Sequence, residues 1–331
     1  MSGPSLRVAV VAGGPSSEAG VSRRSAAGVA RALSDSGHRP EVLELDEALA
    51  ARLVELAPDV VFPAVHGAVG EDGCLQGLLE VLGLPYVGSR VLASALAMSK
   101  PHAKRQFVAV GLPLAKDAVV RRGEDADRRA AEIRGSVGRA VVVKPGAGGS
   151  AIGVTPIRDA DPDSALAEAL RAALSMDPVA LVEEFLVGKE VTCGVLEDET
   201  GAARALPPTL ILPKAAGWYD FTSKYGTGGS AHQCPPPFPA PLVERIQRAA
   251  VLAHEVLGCR DLSRTDFVVD DDAGTFTVLE VNTLPGMTAT SLFPEAALAA
   301  GIAFPELCDR LVRRAHARPR DSRLAGVAMP A

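Results

Sequence analysis

The chain opens with a short apolar run that passes into an amphipathic stretch. Residues 6–11 are almost continuously apolar, which is typical of a strand buried on both faces of a parallel sheet. A glycine-rich loop, residues 12–18, follows, and apolar and small residues then recur at helical spacing from Val21 to Leu33. The beginning of the chain therefore predicts a strand, a glycine-rich loop and a helix.

The same pattern repeats once more along the chain. It predicts strands at residues 41–45 and 59–65, a helix at residues 46–56, and a second glycine-rich loop at residues 66–73. Strands that alternate with helices predict an open parallel α/β sheet. Both glycine-rich loops directly follow strands, so we expect them to line one crevice beyond the carboxyl ends of the sheet.

The middle of the chain predicts a smaller mixed α/β unit. Its predicted elements are a helix at 100–110, a strand at 114–120, a helix at 125–134, a strand at 140–144 and a glycine-rich loop at 146–153. That loop fits the pattern GxGxxA, but residues 152–156 favour a strand, whereas a dinucleotide fingerprint must open a helix. We therefore expect a hairpin flap whose exposed N–H groups can close over phosphates.

The pattern over the rest of the chain predicts an α+β unit. The predicted elements are β segments at 189–197 and 204–212, a loop at 213–239, a helix at 240–257, a hairpin at 264–282 and a helix at 304–317. We expect an N-terminal α/β domain over residues 1–98, a central domain over 99–187, a C-terminal domain over 188–318 and a disordered tail over 319–331.

The predicted hairpin carries the strongest chemical signal. Folding it about the turn at residues 271–274 brings Asp266 opposite Glu280 to within one residue, and strand alternation puts Asn282 and Arg264 on the same face. Three oxygen-bearing side chains suit a hard divalent cation such as Mg²⁺. The alternative is a solvated polar face whose charge is balanced by Arg264.

Several other side chains are candidates for binding a nucleotide. Lys144 ends a strand just before the flap, and Lys100 begins a helix; each could instead be an ordinary exposed lysine. Residues 181–186 lead into a linker where an adenine edge could bond main-chain groups while Phe185 packs on the ring, although a core strand fits that stretch equally well. A Walker-type phosphate loop is excluded, because GxxxxGK[ST] does not occur.

Two further features point to a crevice. His66 follows a buried strand and precedes small and acidic residues, so it should face the crevice, with a capping role as the alternative. Residues 217–230 contain the only tryptophan and two of the three tyrosines, and predict either a lid or a surface loop anchored by aromatic side chains.

Composition narrows the function classes. A net charge of −6 over 331 residues argues against a nucleic-acid partner, and no apolar run reaches the roughly 18 residues of a membrane helix. The five cysteines show neither metal spacing nor a disulfide framework, and the N-terminus lacks a signal-peptide pattern. We therefore expect a cytoplasmic protein that acts on small molecules, with no nucleic-acid or membrane partner.

A series of short motifs is spread over residues 6–317. They are Gly13-Gly14-x-Ser16-x-Glu18, His66-Gly67 with Gly70-Glu71-Asp72-Gly73, Leu75-Gln76-Gly77, Tyr86-x-Gly88-Ser89, Lys144-Pro145, Arg264-x-Asp266 and Glu280-Val281-Asn282-Thr283-x-Pro285-Gly286-Met287-Thr288. In their order and spacing, more than in any single motif, they resemble the D-alanine–D-alanine ligases of the ATP-grasp superfamily.

The resemblance implies a three-domain ATP-grasp fold, a homodimer, and residues for ATP, for Mg²⁺ and for substrates. ATP would be bound by Lys100, Lys144, Glu183, Glu184, Phe185, Leu186, Glu190, Lys224 and Leu279, and two Mg²⁺ ions, or Mn²⁺ in their place, by Asp266, Glu280 and Asn282. The first D-alanine would bind at Glu18 and His66, and the second at Ser291 and Leu292. Glu18, Ser150 and Tyr225 would close the site, and Arg264 and the Gly286 N–H would stabilise the oxyanion.

The implied reaction joins two D-alanines through an acylphosphate, as a supply of peptidoglycan precursors for the cell wall and cell shape. Relatives that make a D-lactate ester carry phenylalanine where this chain has Tyr225, which favours an amine nucleophile here. Gly20, Leu284 and Thr290 differ from the family's usual residues around the pocket, as does the small flap. Two alternatives follow: the same chemistry on other amino acids in a specialised pathway, and a non-catalytic nucleotide-binding scaffold.

Overall fold

The computed structural model describes residues 3–213 and 230–318. The predicted lid, with Lys224 and Tyr225, and the predicted disordered tail lie outside the described residues, apart from Ser230 at the lid's end. None of the helices within the described part is long and apolar enough to cross a membrane.

The N-terminal part is an open parallel α/β sheet, as the pattern predicted. Its three strands run in the order β2-β1-β3, and Tyr86 extends the sheet through a parallel bridge to Val61. Gly37 ends the first helix in a left-handed conformation (φ +84°), as expected. The elements are β1 (Arg7–Ala12), α1 (Ala19–Asp35), β2 (Arg39–Glu44), α2 (Leu49–Leu56), β3 (Val60–Pro63), α3 (Cys74–Val81) and α4 (Val91–Met98).

The middle part is a four-stranded antiparallel sheet with two helices on one face. The elements are α5 (Lys100–Ala109), β4 (Asp117–Arg121), α6 (Ala126–Ser136), β5 (Val141–Pro145), β6 (Thr155–Ile157), α7 (Asp163–Met176) and β7 (Val179–Glu184), with strand order β4-β7-β5-β6. Val141 and Val143 pack into the core under α6 and α7, so strand alternation turns Val142 and Lys144 to the opposite face.

The flap confirms the predicted hairpin but begins its second strand later than expected. Residues 152–156 predicted a strand, whereas β6 starts at Thr155. Ser150 and Ala151 have φ of +55° and +56°, and Gly153 has φ of +71°. These left-handed residues keep the chain turning, so extended backbone cannot begin before residue 154.

The C-terminal part is built on a six-stranded antiparallel sheet. Its strands run β11-β10-β8-β12-β13, with β9 paired to β8. The predicted β segment 204–212 is two strands, because Pro207 and Pro208 interrupt the ladder between them. The elements are β8 (Lys189–Glu197), β9 (Ala203–Ala205), β10 (Thr209–Pro213), β11 (Ser230–Gln233), α8 (Ala240–Leu257), β12 (Leu262–Asp270), β13 (Thr275–Asn282), α9 (Leu292–Ala299) and α10 (Phe304–Ala317).

The hydrophobic cores extend across the predicted domain boundaries. Phe107 of α5 packs in one core with Ile246 of α8 and Phe267 of β12. Leu311 of α10 packs in another with Val29 of α1. These shared cores show that the three parts pack against one another. The domain boundaries at residues 98 and 187 remain a prediction.

A buried carboxylate joins the N-terminal part to the C-terminal sheet. Asp261, fully buried just before β12, accepts a hydrogen bond from the Gly88 N–H at 2.7 Å and one from Arg314 Nε at 3.1 Å, and it also contacts Arg318. A Cβ atom added to Gly88 would lie 3.1 Å from the Leu284 side chain. This joint therefore fixes the loop around Gly88 against the segment that follows β13.

Candidate active site

A cavity of about 450 Å³ lies between the central sheet and the hairpin of β12 and β13. This size suits a nucleotide-sized ligand. Lys224 lies outside the described residues. The other residues predicted to bind ATP all line this cavity: Lys100, Lys144, Glu183, Glu184, Phe185, Leu186, Glu190 and Leu279.

A buried carboxylate in the cavity wall binds two lysines, of which only Lys144 lines the cavity. Glu183 is 3% exposed, and its two oxygens accept hydrogen bonds from Lys104 Nζ and Lys144 Nζ, each at 2.6 Å. Burial alone would raise the pKa of Glu183, but the charges of Lys144 and Lys104 outweigh it and lower the pKa. Burial would likewise lower the pKa of Lys144, and the Glu183 charge raises it instead. Both groups are therefore charged at neutral pH.

The flap is anchored to the start of α5. The Lys100 N–H donates to the Gly146 carbonyl at 2.9 Å, and the Lys100 ammonium donates to the Gly148 carbonyl. The same ammonium lies 3.3 Å from Glu280 Oε2 on β13. Lys100 therefore links the phosphate flap to the hairpin across the cavity.

The flap also reaches the first glycine-rich loop. Ser150 Oγ donates a hydrogen bond to Glu18 Oε1, and both side chains are buried. Ser150 has a left-handed backbone conformation, and the two residues of this hydrogen bond are 132 positions apart in the sequence. Two of the three residues predicted to close the site are thus brought together, while the third, Tyr225, lies outside the described residues.

His66 lies in the crevice beside acidic groups. Its Nδ1 is 3.8 Å from Glu71 Oε1, and its Nε2 is 3.4 Å from Ser25 Oγ. Burial acts to lower the pKa of His66, but Glu71 and then Glu18 raise it above the ordinary value, with Arg264 opposing them. His66 therefore carries positive charge more readily than a free histidine.

The polar hairpin face forms with the predicted pairing. Asp266 pairs directly with Glu280 and Arg264 with Asn282, followed by a β-bulge after Asp266. Arg264 binds Asp266 with two hydrogen bonds, Nε to Oδ1 at 2.7 Å and a terminal nitrogen to Oδ2 at 2.8 Å. The Leu284 N–H donates to Asn282 Oδ1 at 3.0 Å. The sequence prediction of one face is confirmed.

Two smaller cavities lie beside these groups. One of about 40 Å³ is lined by Glu71, Lys100, Gly149, Glu280 and Asn282, among others, and so joins the flap to the hairpin. Another of about 10 Å³ is lined by His66, Leu284, Pro285 and Met287, among others. The 40 Å³ cavity shares Lys100, Gly149 and Glu280 with the 450 Å³ cavity, so the flap and the hairpin border one site.

The loop after β13 supplies the remaining predicted residues. Ser291 precedes α9, Leu292 is its first residue, and Ser291 Oγ accepts from the Thr288 N–H at 3.1 Å. A Cβ atom at Gly286 would lie 2.9 Å from Ser291 Oγ, too close for any larger residue without movement. The free N–H groups of a helix start favour a carboxylate at this position.

Sequence reasoning missed two residues near the cavity, Arg158 in its lining and Lys104 behind its wall. Lys104 lies one helical turn after Lys100, and this i, i+4 spacing on a predicted helix was the available signal. Arg158 lines the cavity with its guanidinium carbon 4.3 Å from the centre of the Phe185 ring. No local pattern pointed to Arg158, since its position depends on the flap geometry.

Among the described residues, no three His, Cys, Asp or Glu side chains form a metal-binding group. The predicted set on the hairpin instead combines two carboxylates with the amide of Asn282. Each carboxylate oxygen has two lone pairs, so the Arg264 contacts leave Asp266 able to bind a cation. All three are oxygen donors on one strand pair and fit a hard divalent ion.

Comparisons with known proteins find one family over most of the chain. A family model described as "D-ala D-ala ligase C-terminus" matches residues 107–313, and one described as "D-ala D-ala ligase N-terminus" matches residues 44–89. A D-alanine--D-alanine ligase of Gluconobacter oxydans is 44% identical over 95% of this chain and 100% of its own, and one of Geotalea uraniireducens is 43% identical over 93% and 95%.

Solved structures show the same similarity. The D-alanine--D-alanine ligase from Bacillus anthracis complexed with ATP aligns with a TM-score of 0.79 at 31% identity, covering 94% of this chain and 97% of the other. The enzyme from Coxiella burnetii aligns with a TM-score of 0.79 at 27% identity, covering 95% and 94%.

Proposed function

The chain belongs to the D-alanine–D-alanine ligase family, and from this premise we propose that it joins two D-alanines to D-alanyl-D-alanine while converting ATP to ADP and phosphate. The hairpin carries the proposal: Arg264, Asp266, Glu280 and Asn282 share one face beside a nucleotide-sized cavity. A binding scaffold would not require this set of charges at the cavity.

ATP is proposed to occupy the 450 Å³ cavity. The linker residues Glu184, Phe185 and Leu186 would border the base, with Leu279 packing against it, while Lys100 and Lys144 would meet the phosphates. Two ammonium groups at the flap end support this orientation, since they offset the negative charge of a triphosphate. Glu190 lies on the same wall, and Lys224 stays a prediction.

Mg²⁺ is proposed to be held by Asp266, Glu280 and Asn282, with Mn²⁺ as a substitute. The register that pairs Asp266 with Glu280 supports this assignment. When bound, the metal would neutralise charge on the phosphate oxygens during transfer. The residues' own part is to keep three oxygen donors on one hairpin face, with Lys100 beside Glu280 at the cavity.

In the first step, a carboxylate oxygen of one D-alanine attacks the γ-phosphorus of ATP, the bond to the β-phosphate oxygen breaks, and ADP leaves. Glu18 is proposed to bind the ammonium of this D-alanine, with His66 beside it. The buried Ser150–Glu18 hydrogen bond supports the proposal, because it orients the Glu18 carboxylate and closes the flap over the crevice.

In the second step, the amine of the other D-alanine attacks the acyl carbon, a tetrahedral oxyanion forms, and phosphate leaves as the nitrogen loses its proton. Arg264 and the Gly286 N–H are proposed to stabilise that oxyanion. Ser291 and Leu292 at the start of α9 would hold the carboxylate of the second substrate. Tyr225 is proposed to join Glu18 and Ser150 in closure.

The product is proposed to feed peptidoglycan synthesis in the cytoplasm, where ATP is present. All five cysteines are free, which suits a reducing compartment. A homodimer is proposed from the family resemblance. The division into three domains at residues 98 and 187 is part of the same proposal.

A panel of amino acids tests the function. Phosphate release would be measured with ATP, Mg²⁺ and D- or L-amino acids, singly and in pairs, with products identified by mass. Turnover with D-alanine alone, giving the dipeptide, is expected. Leu284 is buried beside Gly88 where the family more often has serine, so a different preferred pair would assign the same chemistry to another substrate. ATP binding without turnover would contradict the proposal.

A further inference from the structure

Two carboxylates lie side by side on neighbouring strands of the central sheet, next to the cavity. Asp117 of β4 pairs directly with Glu183 of β7. Like charges at directly opposed positions of antiparallel strands repel each other. Glu183 is almost fully buried, while the Asp117 side chain is one-third exposed. A cation is therefore needed between these two strands.

Lys104 supplies that cation from α5. Its ammonium lies 2.6 Å from Glu183 Oε1, 3.1 Å from Asp117 Oδ1 and 3.0 Å from the Ala115 carbonyl oxygen. A lysine ammonium has three N–H donors, and these three acceptors use all of them. The side chain is 5% exposed, so Lys104 itself cannot serve as a flexible surface contact for a ligand.

The second Glu183 oxygen holds Lys144, whose side chain lines the cavity. One carboxylate is thus shared between two ammonium groups, and only Lys144 borders the ligand space. With two partners, Glu183 neutralises only part of the Lys144 charge. Without Lys104, Lys144 would be the sole ammonium group paired with Glu183, and more of its positive charge would be neutralised.

We propose that Lys104 is a positioning residue for nucleotide binding: by taking one oxygen of Glu183 it leaves Lys144 oriented and positively charged toward a phosphate anion. This assignment rests on the proposed function, namely that the cavity binds ATP. Lys104 acts only through Glu183 and Lys144.

The first test compares Lys104→Met with wild type by calorimetric titration of ATP and, separately, adenosine. Lys116→Met is the matched control, because Lys116 is exposed one residue before β4. In Lys104→Met the ATP dissociation constant should rise about tenfold, the equivalent of one charge-assisted hydrogen bond, while adenosine affinity stays near wild type. An equal loss for both ligands, or ATP binding equal to that of Lys116→Met, would overturn the assignment.

A second variant gives the opposite sign and does not depend on how well Lys104→Met folds. Asp117→Asn removes the competing carboxylate at a partly exposed position, so Lys104 is drawn further onto Glu183 and Lys144 is released. ATP affinity should then equal or exceed that of wild type. Weaker ATP binding in Asp117→Asn would show that the cluster is merely structural and would refute the positioning role.

The two proposals fail in different ways. A wild-type protein that binds no ATP would remove the proposed function and this assignment with it. A wild-type protein that binds ATP, together with a Lys104→Met variant that binds it equally well, would remove only the assignment. Thermal unfolding of each variant shows that the titrated protein is folded.

Discussion

The joint at Asp261 leads to a sharp stability prediction. Asp261→Asn keeps the size of the side chain, and asparagine tolerates the left-handed backbone at this position (φ +65°). The amide oxygen can still accept from the Gly88 N–H. What is lost is the negative charge that faces Arg314 and Arg318 in a buried setting.

The size of the effect follows from these contacts. Removing one partner of a buried ion pair costs about 3–5 kcal/mol. Arg314 keeps its contacts to Glu197 and to the Asp198 carbonyl, so the lower end, about 3 kcal/mol, applies. At roughly 2 °C per kcal/mol for a chain of this size, the melting temperature should fall by about 6 °C.

The assay is thermal unfolding followed by circular dichroism, with Asp159→Asn as the control. Asp159 pairs with Arg139 at the surface, with side chains 72% and 65% exposed, and such pairs contribute about 0–1 kcal/mol. Asp159→Asn should therefore melt close to wild type. If Asp261→Asn also melts within about 2 °C of wild type, the joint does not carry the stability assigned to it.

Three further predictions concern the site. Arg264→Ala should lower kcat about 100-fold to 1000-fold while ATP binding by calorimetry stays near wild type; unchanged turnover would remove its oxyanion role. Ser150→Ala should raise the KM for D-alanine by roughly tenfold or more through loss of the hydrogen bond to Glu18, and an unaltered KM would contradict flap closure. The pKa of His66 is raised in the folded protein, so protonation of His66 stabilises the fold. The free energy of unfolding of wild type, measured with urea, should therefore exceed that of His66→Gln by an amount that shrinks from about pH 6 to pH 8. A constant or growing difference would refute this prediction.

Local patterns were sufficient where chemistry depends on strand alternation. The turn at residues 271–274 and the period of two predict Asp266 opposite Glu280, and the register of β12 with β13 confirms that pair. The alternation of strands and helices likewise predicted the parallel N-terminal sheet. Both follow from short-range geometry.

Other features depend on contacts between distant segments. The only local signal for Lys104 is its i, i+4 spacing from Lys100, and its proposed role depends on the pairing of Asp117 with Glu183, which brings two remote strands together. The late start of β6 depends on left-handed Ser150, which is held by Glu18 far away in sequence. Tertiary contacts override local propensity at such positions.

The most direct test of the ligase chemistry is an isotope experiment that traces a carboxylate oxygen of D-alanine into the released phosphate. The protein would be incubated with ATP, Mg²⁺ and D-alanine whose carboxylate carries heavy oxygen, and the dipeptide and the released phosphate would be analysed by mass. We expect equal amounts of dipeptide, ADP and phosphate, with heavy oxygen transferred from the carboxylate to phosphate. Dipeptide formed with unlabelled phosphate would contradict the acylphosphate route, and ADP formed without dipeptide would contradict ligation itself.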